Sequence, residues 1–146
     1  MEFKKILVAY DGSKDANRAV EAACALSKGK ASVTLLHVYA IPTMAYSGAA
    51  GLPQTTVRLL DEGARKTAEA VAKRGLDRAA RNGVKAKGEV IEGMSIVEAI
   101  VTYASSEKFD MIVIGTRGNT GFRRLLLGSV SSGVMNHAHC PVLLVR

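Results

Sequence analysis

Short apolar runs alternate along this chain with segments of helical periodicity. The runs at residues 3–10, 31–38 and 109–114 are almost continuously apolar, which is typical of strands covered on both faces. In the segments between them, apolar residues recur three and four positions apart, as on an amphipathic helix. This alternation predicts an α/β fold, a doubly wound parallel sheet with helices on both faces, in a single domain of residues 1–146.

Two weaker strands complete the predicted sheet. Residues 84–91 alternate charged and apolar side chains, which indicates a half-exposed strand at a sheet edge. Residues 141–145 form the last predicted strand, in which a proline is tolerated because it comes first. Four helices are predicted. The first two cover residues 14–28 and 55–82, the third begins at the capping box Ser95-x-x-Glu98, and the fourth runs from Gly128 to near His137.

Composition excludes several classes of protein. With 146 residues, 48% of them apolar and 23% charged, the chain is neither disordered nor fibrous in character. No apolar run reaches the roughly 18–20 residues that span a bilayer, and the start of the chain lacks the pattern of a signal peptide. We expect a cytoplasmic protein without membrane contact, in which Cys24 and Cys140 are buried thiols.

The net charge of +7 raises the question of nucleic-acid binding. The basic residues are spread along the chain, however, and the densest run, residues 58–81, also carries four carboxylates. No pair of aromatic residues lies where bases would stack on a strand. We therefore interpret the run as a solvated helix face, with attraction for small polyanions as the second interpretation, and expect no nucleic acid as a partner.

A glycine-rich stretch follows the fourth predicted strand. Gly115-Thr116-Arg117-Gly118 is separated by nine residues from Gly128-Ser129-Val130-Ser131, at the predicted start of the next helix. Glycines at the end of a strand let the backbone approach a ligand closely, and the first N–H groups of a helix have no acceptor within it. Together with the two serine hydroxyls, these groups predict a site that holds phosphate.

Two other turns are predicted at the same edge of the sheet. Asp11-Gly12-Ser13 follows the first strand, with Ser13 as the predicted helix N-cap, and a long connection over residues 39–54 follows the second strand. Ligands of such folds bind where the carboxyl ends of the strands diverge. The long connection is interpreted equally as a lid or as an interface loop.

The common nucleotide-binding motifs do not fit this stretch. The chain has no Gly-x4-Gly-Lys-(Ser/Thr), so it lacks the lysine that contacts the terminal phosphates in P-loop proteins. Residues 115–121 have the spacing Gly-x2-Gly-x2-Gly and not the Gly-x-Gly-x2-Gly of dinucleotide-binding proteins.

The stretch closely resembles the nucleotide-binding branch of the universal stress protein family, which carries Gly-x2-Gly-x9-Gly-(Ser/Thr). Gly115, Gly118, Gly128 and Ser129 match every fixed position of that pattern. The resemblance extends over the whole chain, through Ile6-Leu7-Val8, Asp11-Gly12-Ser13, Leu35-Leu36-His37-Val38, Asp110 and Pro141-Val142-Leu143-Leu144-Val145.

The resemblance implies a five-stranded sheet of order 3-2-1-4-5, similar to the adenine nucleotide alpha hydrolases, and ATP as ligand, with Mg²⁺ or Mn²⁺. It also implies a homodimer paired through the last strand, and an apolar strand without charges at a sheet edge favours the same pairing. Asp11 and Gly115 would hold the ribose, the backbone at Val38 would meet the adenine, and the remaining glycines and serines would line the phosphates. The implied nucleotide-binding residues are Ala9, Asp11, Val38, Gly115, Arg117, Gly118, Gly128, Ser129, Val130 and Ser131.

Purely structural interpretations of these residues stay open. Asp11 is also a candidate cap of the first helix, the serines are also ordinary residues of a helix start, and the glycines are also compatible with a plain turn. Arg117 is a candidate phosphate contact, and Arg123 and Arg124 are interpreted equally as phosphate contacts or solvated charges. His37 is expected to be a packed histidine. A metal site at His137-x-His139-Cys140 and a hydrolytic triad of Ser129, His137 and Asp11 are not favoured.

Three classes of function remain. The first is an ATP-binding regulatory protein of the stress response with at most slow hydrolysis, the second a weak or partner-activated ATPase, and the third an interaction protein without nucleotide. The glycine pattern disfavours the third, because the branch of the family that does not bind nucleotide lacks it. The first is favoured over the second because the chain shows no obvious base or P-loop lysine to promote attack on the terminal phosphate.

Overall fold

The computed structural model of the chain describes residues 2–40, 51–118 and 127–146. Strands and helices alternate through these ranges, and every predicted element is present with ends that differ by at most three residues. The elements are β1 (Lys5–Ala9), α1 (Lys14–Ser27), β2 (Ser32–Tyr39), α2 (Gln54–Arg81), β3 (Lys87–Glu92), α3 (Ile96–Ser106), β4 (Met111–Gly115), α4 (Ser129–His137) and β5 (Val142–Val145). Most of the predicted 39–54 connection lies outside the described residues, as do Arg123 and Arg124.

The five strands form one parallel sheet in the order β3-β2-β1-β4-β5, as predicted. At the centre of the sheet, Ile6 of β1 lies opposite Val33 of β2 on one side and Met111 of β4 on the other. The chain therefore adds β2 and β3 on one side of β1 and later crosses to add β4 and β5 on the other. The carboxyl ends of β1 and β4 mark the reversal of strand order, where ligands of such sheets bind.

An apolar core lies on each face of the sheet. Because successive side chains of a strand point to opposite faces, β1 supplies both cores. Ile6 and Val8 pack with buried residues of α1 and α2, whereas Leu7 packs with residues of α3 and α4. The helices thus cover both faces in pairs, and the central strands β1 and β4 between them are almost entirely apolar.

Two helices begin at the side-chain caps that the sequence predicts. The Ala16 N–H donates to Ser13 Oγ at 3.2 Å, and the Glu98 N–H donates to Ser95 Oγ at 3.2 Å. Each bond satisfies an amide that has no acceptor within its helix. Among the described residues, no helix is both long and apolar enough to cross a membrane.

Candidate functional site

A cavity of about 250 Å³ opens at the carboxyl edge of the sheet, where β1 and β4 lie side by side. Its walls come from β1, β2 and β4, from the turn after β1, from α3, and from the first turn of α4. All ten residues implied by the resemblance line this cavity: Ala9, Asp11, Val38, Gly115, Arg117, Gly118, Gly128, Ser129, Val130 and Ser131. The fold brings them together, and their roles toward a ligand stay predictions.

Eight further residues line the cavity, and the sequence did not single them out for it. Ile96 and Ile100 lie four residues apart on α3, so helical periodicity predicts that they share a face. The sequence does not reveal which helix covers the cavity. The spacing of Ile96 and Ile100 alone therefore could not identify them as lining residues. The further lining residues are Tyr10, Ser13, Ala16, Leu36, His37, Ile96, Ile100 and Ile114.

Asp11 is held at the cavity wall by the turn after β1. Its Oδ1 accepts a hydrogen bond from the Ser13 N–H at 2.9 Å, while Ser13 itself caps α1. The alternative that Asp11 caps this helix is therefore wrong. The backbone of Gly118 approaches the same carboxylate closely, since a Cβ at this position would lie 2.8 Å from Asp11 Oδ2.

The end of β4 and the loop after it lie directly on the first turn of α1. A Cβ on Gly115 would lie 2.8 Å from the backbone carbonyl carbon of Asp15, so only glycine permits this approach. The buried Asp15 carboxylate accepts from Thr116 Oγ1 at 3.1 Å and from Arg117 Nε at 3.4 Å. The Arg117 guanidinium is thus held beside the cavity by Asp15. The sequence did not predict this acidic partner of Arg117.

The start of α4 forms the opposite wall and has no side-chain cap. Gly128 precedes it in an extended conformation, and its N–H donates to the Thr116 carbonyl at 2.6 Å. The first bond of the helix runs from the Ser132 N–H to the Gly128 carbonyl at 3.0 Å. The N–H groups of residues 129–131 precede that bond, so the helix itself offers them no acceptor.

The two serine hydroxyls at this helix start differ. Ser129 is exposed, whereas Ser131 is 2% exposed. Its hydroxyl lies 3.0 Å from the carbonyl oxygens of both Thr116 and Gly128, and its single hydrogen is shared between them. Of the two hydroxyls expected to face phosphate, only that of Ser129 is therefore exposed, and Ser131 offers its backbone N–H.

Tyr10 and His37 meet at the β2 side of the cavity. Burial raises the pKa of Tyr10, an effect that the nearby Arg74 and Arg78 partly offset, and its hydroxyl donates to Asn17 Oδ1 at 2.7 Å. His37 Nδ1 lies 2.8 Å from the Tyr10 carbonyl oxygen, which can only accept, so Nδ1 carries the hydrogen. His37 is half-buried and lines the cavity. The sequence predicted a packed histidine but not its position in the cavity wall.

Residues outside the cavity account for the remaining motifs. His137 Nδ1 lies 2.8 Å from the Gly133 carbonyl oxygen of its own helix. No cluster of three or more His, Cys, Asp or Glu suited to a metal occurs within residues 2–40, 51–118 and 127–146. Cys24 and Cys140 are free; Cys24 is buried as predicted, whereas Cys140 is only half-buried. Burial raises the pKa of both thiols, which keeps them protonated at neutral pH.

Comparison with known proteins agrees with the geometry. The model of the universal stress protein family matches residues 2–146. The chain belongs to the universal stress protein family. A universal stress protein of Thermus aquaticus is 39% identical over 145 residues, which cover 99% of each chain.

Solved structures extend this likeness to three dimensions. A protein of Methanocaldococcus jannaschii, whose structure was used to assign its biochemical function, is 28% identical with a TM-score of 0.82 over 99% of this chain and 96% of that one. A universal stress protein solved in complex with cAMP is 24% identical with a TM-score of 0.69, covering 100% of this chain and 98% of that one. The fold of this universal stress protein is thus that of its family.

Proposed function

We propose that this universal stress protein binds ATP in the cavity between β1 and β4 and acts as a nucleotide-dependent regulator in the cytoplasm, with at most slow hydrolysis. One observation carries the proposal: a carboxylate, an apolar wall and an uncapped helix start surround a single cavity at the reversal of strand order. These three features match the ribose, the base and the phosphates of a nucleotide.

The apolar wall suits a purine base. Leu36 and Val38 of β2, Ile114 of β4 and Ile100 of α3 line the cavity, and all four are buried. Between such surfaces a planar ring loses its contact with water at low cost, while the backbone at Val38 offers polar groups to the adenine edge. Asp11 then offers a carboxylate oxygen to the ribose hydroxyls, which are hydrogen-bond donors.

The phosphates are assigned to the start of α4. A helix N-terminus carries a partial positive charge, and the N–H groups of residues 129–131 precede the first helical bond. Each hydrogen bond to a charged acceptor contributes about 1.5–3 kcal/mol. Three or four of them suffice for micromolar affinity after the cost of association.

A divalent ion would enter with the phosphates. Mg²⁺ commonly keeps several waters and takes one or two protein oxygens in addition to those of the nucleotide. Because Asp11 is assigned to the ribose, the lining oxygen offered on the phosphate side is the exposed hydroxyl of Ser129. This donor set fits Mg²⁺ or Mn²⁺ that is bound mainly by the ligand.

The family supports the class of ligand. A universal stress protein of the same fold has been solved with cAMP, an adenine nucleotide. At 24% identity that likeness concerns the fold, so the choice of ATP rests on the glycine and serine pattern of this chain, whose members Gly118, Gly128 and Ser129 line the cavity.

Regulation is favoured over rapid hydrolysis by the chemistry of the lining residues. Among the lining residues that the structure describes, none is a lysine, and the one carboxylate, that of Asp11, accepts a hydrogen bond from the Ser13 N–H. Phosphoryl transfer to water requires a group that orients the attacking water, and no other carboxylate remains for this role among the described lining residues once Asp11 holds the ribose. The cavity is therefore suited to holding the nucleotide without hydrolysing it quickly. The signal would pass to a partner that binds the nucleotide-occupied protein.

We also propose a homodimer that pairs through β5. This strand is at the edge of the sheet, and its four apolar residues are only half-buried within a single chain. An apolar edge strand with unpaired backbone groups favours pairing with a second copy. Light scattering that detects only monomer at micromolar concentration would contradict this assembly.

Titration calorimetry tests the ligand. We expect ATP to bind the wild-type protein with micromolar affinity and the double variant Gly118→Val, Gly128→Val to bind none. The physical reason is steric, since a Cβ would lie 2.8 Å from Asp11 Oδ2 at position 118 and 3.3 Å from the Thr116 carbonyl oxygen at position 128. Unchanged ATP affinity in a folded double variant would refute the assignment.

A further inference from the structure

We propose that Asp15 and Thr116, which are not among the residues lining the cavity, are positioning residues for its phosphate-binding wall. Hereafter they are called the Asp15–Thr116 pair. The inference rests on the proposed function, because it concerns how the same site holds the phosphates of ATP. It assigns a role to a buried carboxylate that accepts hydrogen bonds from two consecutive residues of the loop after β4, Thr116 and Arg117.

Asp15 supports that loop from below. Its backbone lies so close to Gly115 that no side chain fits between them, and its carboxylate accepts from Thr116 Oγ1 at 3.1 Å and from Arg117 Nε at 3.4 Å. The side chain is 6% exposed. The N-terminus of α1 and the guanidinium of Arg18, at 3.9 Å, offset the negative charge.

Thr116 connects Asp15 to the start of α4 through hydrogen bonds. Its carbonyl oxygen accepts from the Gly128 N–H at 2.6 Å and from Ser131 Oγ at 3.0 Å. Its N–H donates to the Val145 carbonyl at 2.8 Å, which ties the same residue to β5. Thr116 is itself 6% exposed, so each of its polar groups has a partner within the protein.

These bonds fix the residues whose amides would meet phosphate. Gly128 and Ser131 flank the amides of residues 129 and 130, so a shift of Thr116 moves both ends of that turn. The apolar wall of Leu36, Val38 and Ile100 belongs to other elements and, within the described part of the chain, shares no side-chain hydrogen bond with the pair. Loss of the Asp15–Thr116 bond should therefore weaken the binding of phosphates and spare the binding of the base.

Thr116→Val tests the pair, because it replaces the hydroxyl by a methyl group of similar size. We expect about a tenfold loss of ATP affinity in calorimetry, the size of one weakened hydrogen bond to a charged group, and unchanged affinity for adenosine. Thr116→Ser keeps the hydroxyl and should restore ATP binding. Thr34→Val is the matched control, since Thr34 is also 6% exposed but lies in β2, near its amino end.

Two further measurements keep the test decisive. In an Asp15→Ala background, Thr116→Val should cause no additional change in ATP affinity, since the bond is already absent. Without ligand, hydrogen exchange at Ser132, whose N–H is bonded to the Gly128 carbonyl, should be faster in Thr116→Val than in Thr34→Val.

Each outcome separates the inference from the proposed function. Equal losses of ATP and adenosine affinity in Thr116→Val, or no loss of either, would overturn the positioning role while ATP binding stands. A wild-type protein that binds no ATP would overturn the proposed function. The exchange rate at Ser132 then decides alone whether the pair orders the start of α4, and equal rates in the two valine variants would overturn that role as well.

Discussion

Gly118→Ala is the smallest change that tests how the cavity holds a ribose. The added Cβ would lie 2.8 Å from Asp11 Oδ2, whereas ordinary contacts of this kind begin at 3.4 Å. The carboxylate must therefore move by about 0.6 Å, since the added atom is part of the backbone-attached methyl group and cannot rotate away. Asp11 Oδ1 is restrained by the Ser13 N–H at 2.9 Å, so the displacement falls on the other oxygen.

The expected loss follows from that displacement. A hydrogen bond from a ribose hydroxyl to a carboxylate is about 2.7 Å long at its best and is lost as a strong bond when stretched to about 3.3 Å. Losing one such bond costs about 1.5–3 kcal/mol, which corresponds to a roughly 10- to 150-fold weaker affinity for ATP. The loss should be absent with 2′,3′-dideoxy-ATP, which has no ribose hydroxyl to donate.

Calorimetry with both nucleotides measures this difference. Gly63→Ala is the control, because Gly63 lies in α2 and a Cβ there would meet no atom within 4 Å. A folded Gly118→Ala protein with wild-type affinity for ATP would refute the placement of the ribose at Asp11. Equal losses for ATP and its dideoxy analogue would show that the methyl group disturbs the cavity in another way.

Two further predictions concern stability. Ser13→Ala removes the buried cap of α1, whose Oγ accepts from the Ala16 N–H at 3.2 Å, and should lower the free energy of unfolding in urea by about 1 kcal/mol, whereas no change would contradict the capping role. Burial raises the pKa of Tyr10, Cys24 and Tyr103, so above about pH 8.5 the unfolded chain releases protons that the folded chain retains. The contribution of these groups to the free energy of unfolding is complete below that pH and should decline as the pH rises through the raised pKa values. Urea unfolding at about pH 7, 9 and 10 measures this decline, and a constant free energy of unfolding would contradict it.

The sheet could be predicted because its determinants are local. Continuous apolar runs, helical periodicity and the caps Ser13 and Ser95 each depend on a few neighbouring residues, and all appear in the fold. The glycines at the end of β4 and in the loop after it could also be predicted from the sequence. Gly115 and Gly118 are glycines because other atoms lie within 3 Å of where a Cβ would be, and the spacing pattern carries that requirement.

Other parts of the site depend on contacts between distant segments. Asp15 looks like any acidic residue in the first turn of a helix, and its burial results from Thr116 and its neighbours, 101 residues later, which pack on it. The hydroxyl of Ser131 turns inward because the Thr116 carbonyl lies beside it, which no local pattern encodes. Ile96 and Ile100 form a wall only because α3 happens to cover the cavity.

The central claim is that ATP binds with its phosphates at the start of α4, and an NMR titration tests it most directly. In ¹H–¹⁵N spectra of the full chain, ATP should shift the amide signals of Gly118 and of residues 128–131 most strongly and saturate at one nucleotide per chain. Adenosine should shift the signals of the apolar wall, including Val38 and Ile100, and leave the amides of residues 129–131 nearly unchanged. Saturable shifts confined to another surface, or none at all, would contradict the account.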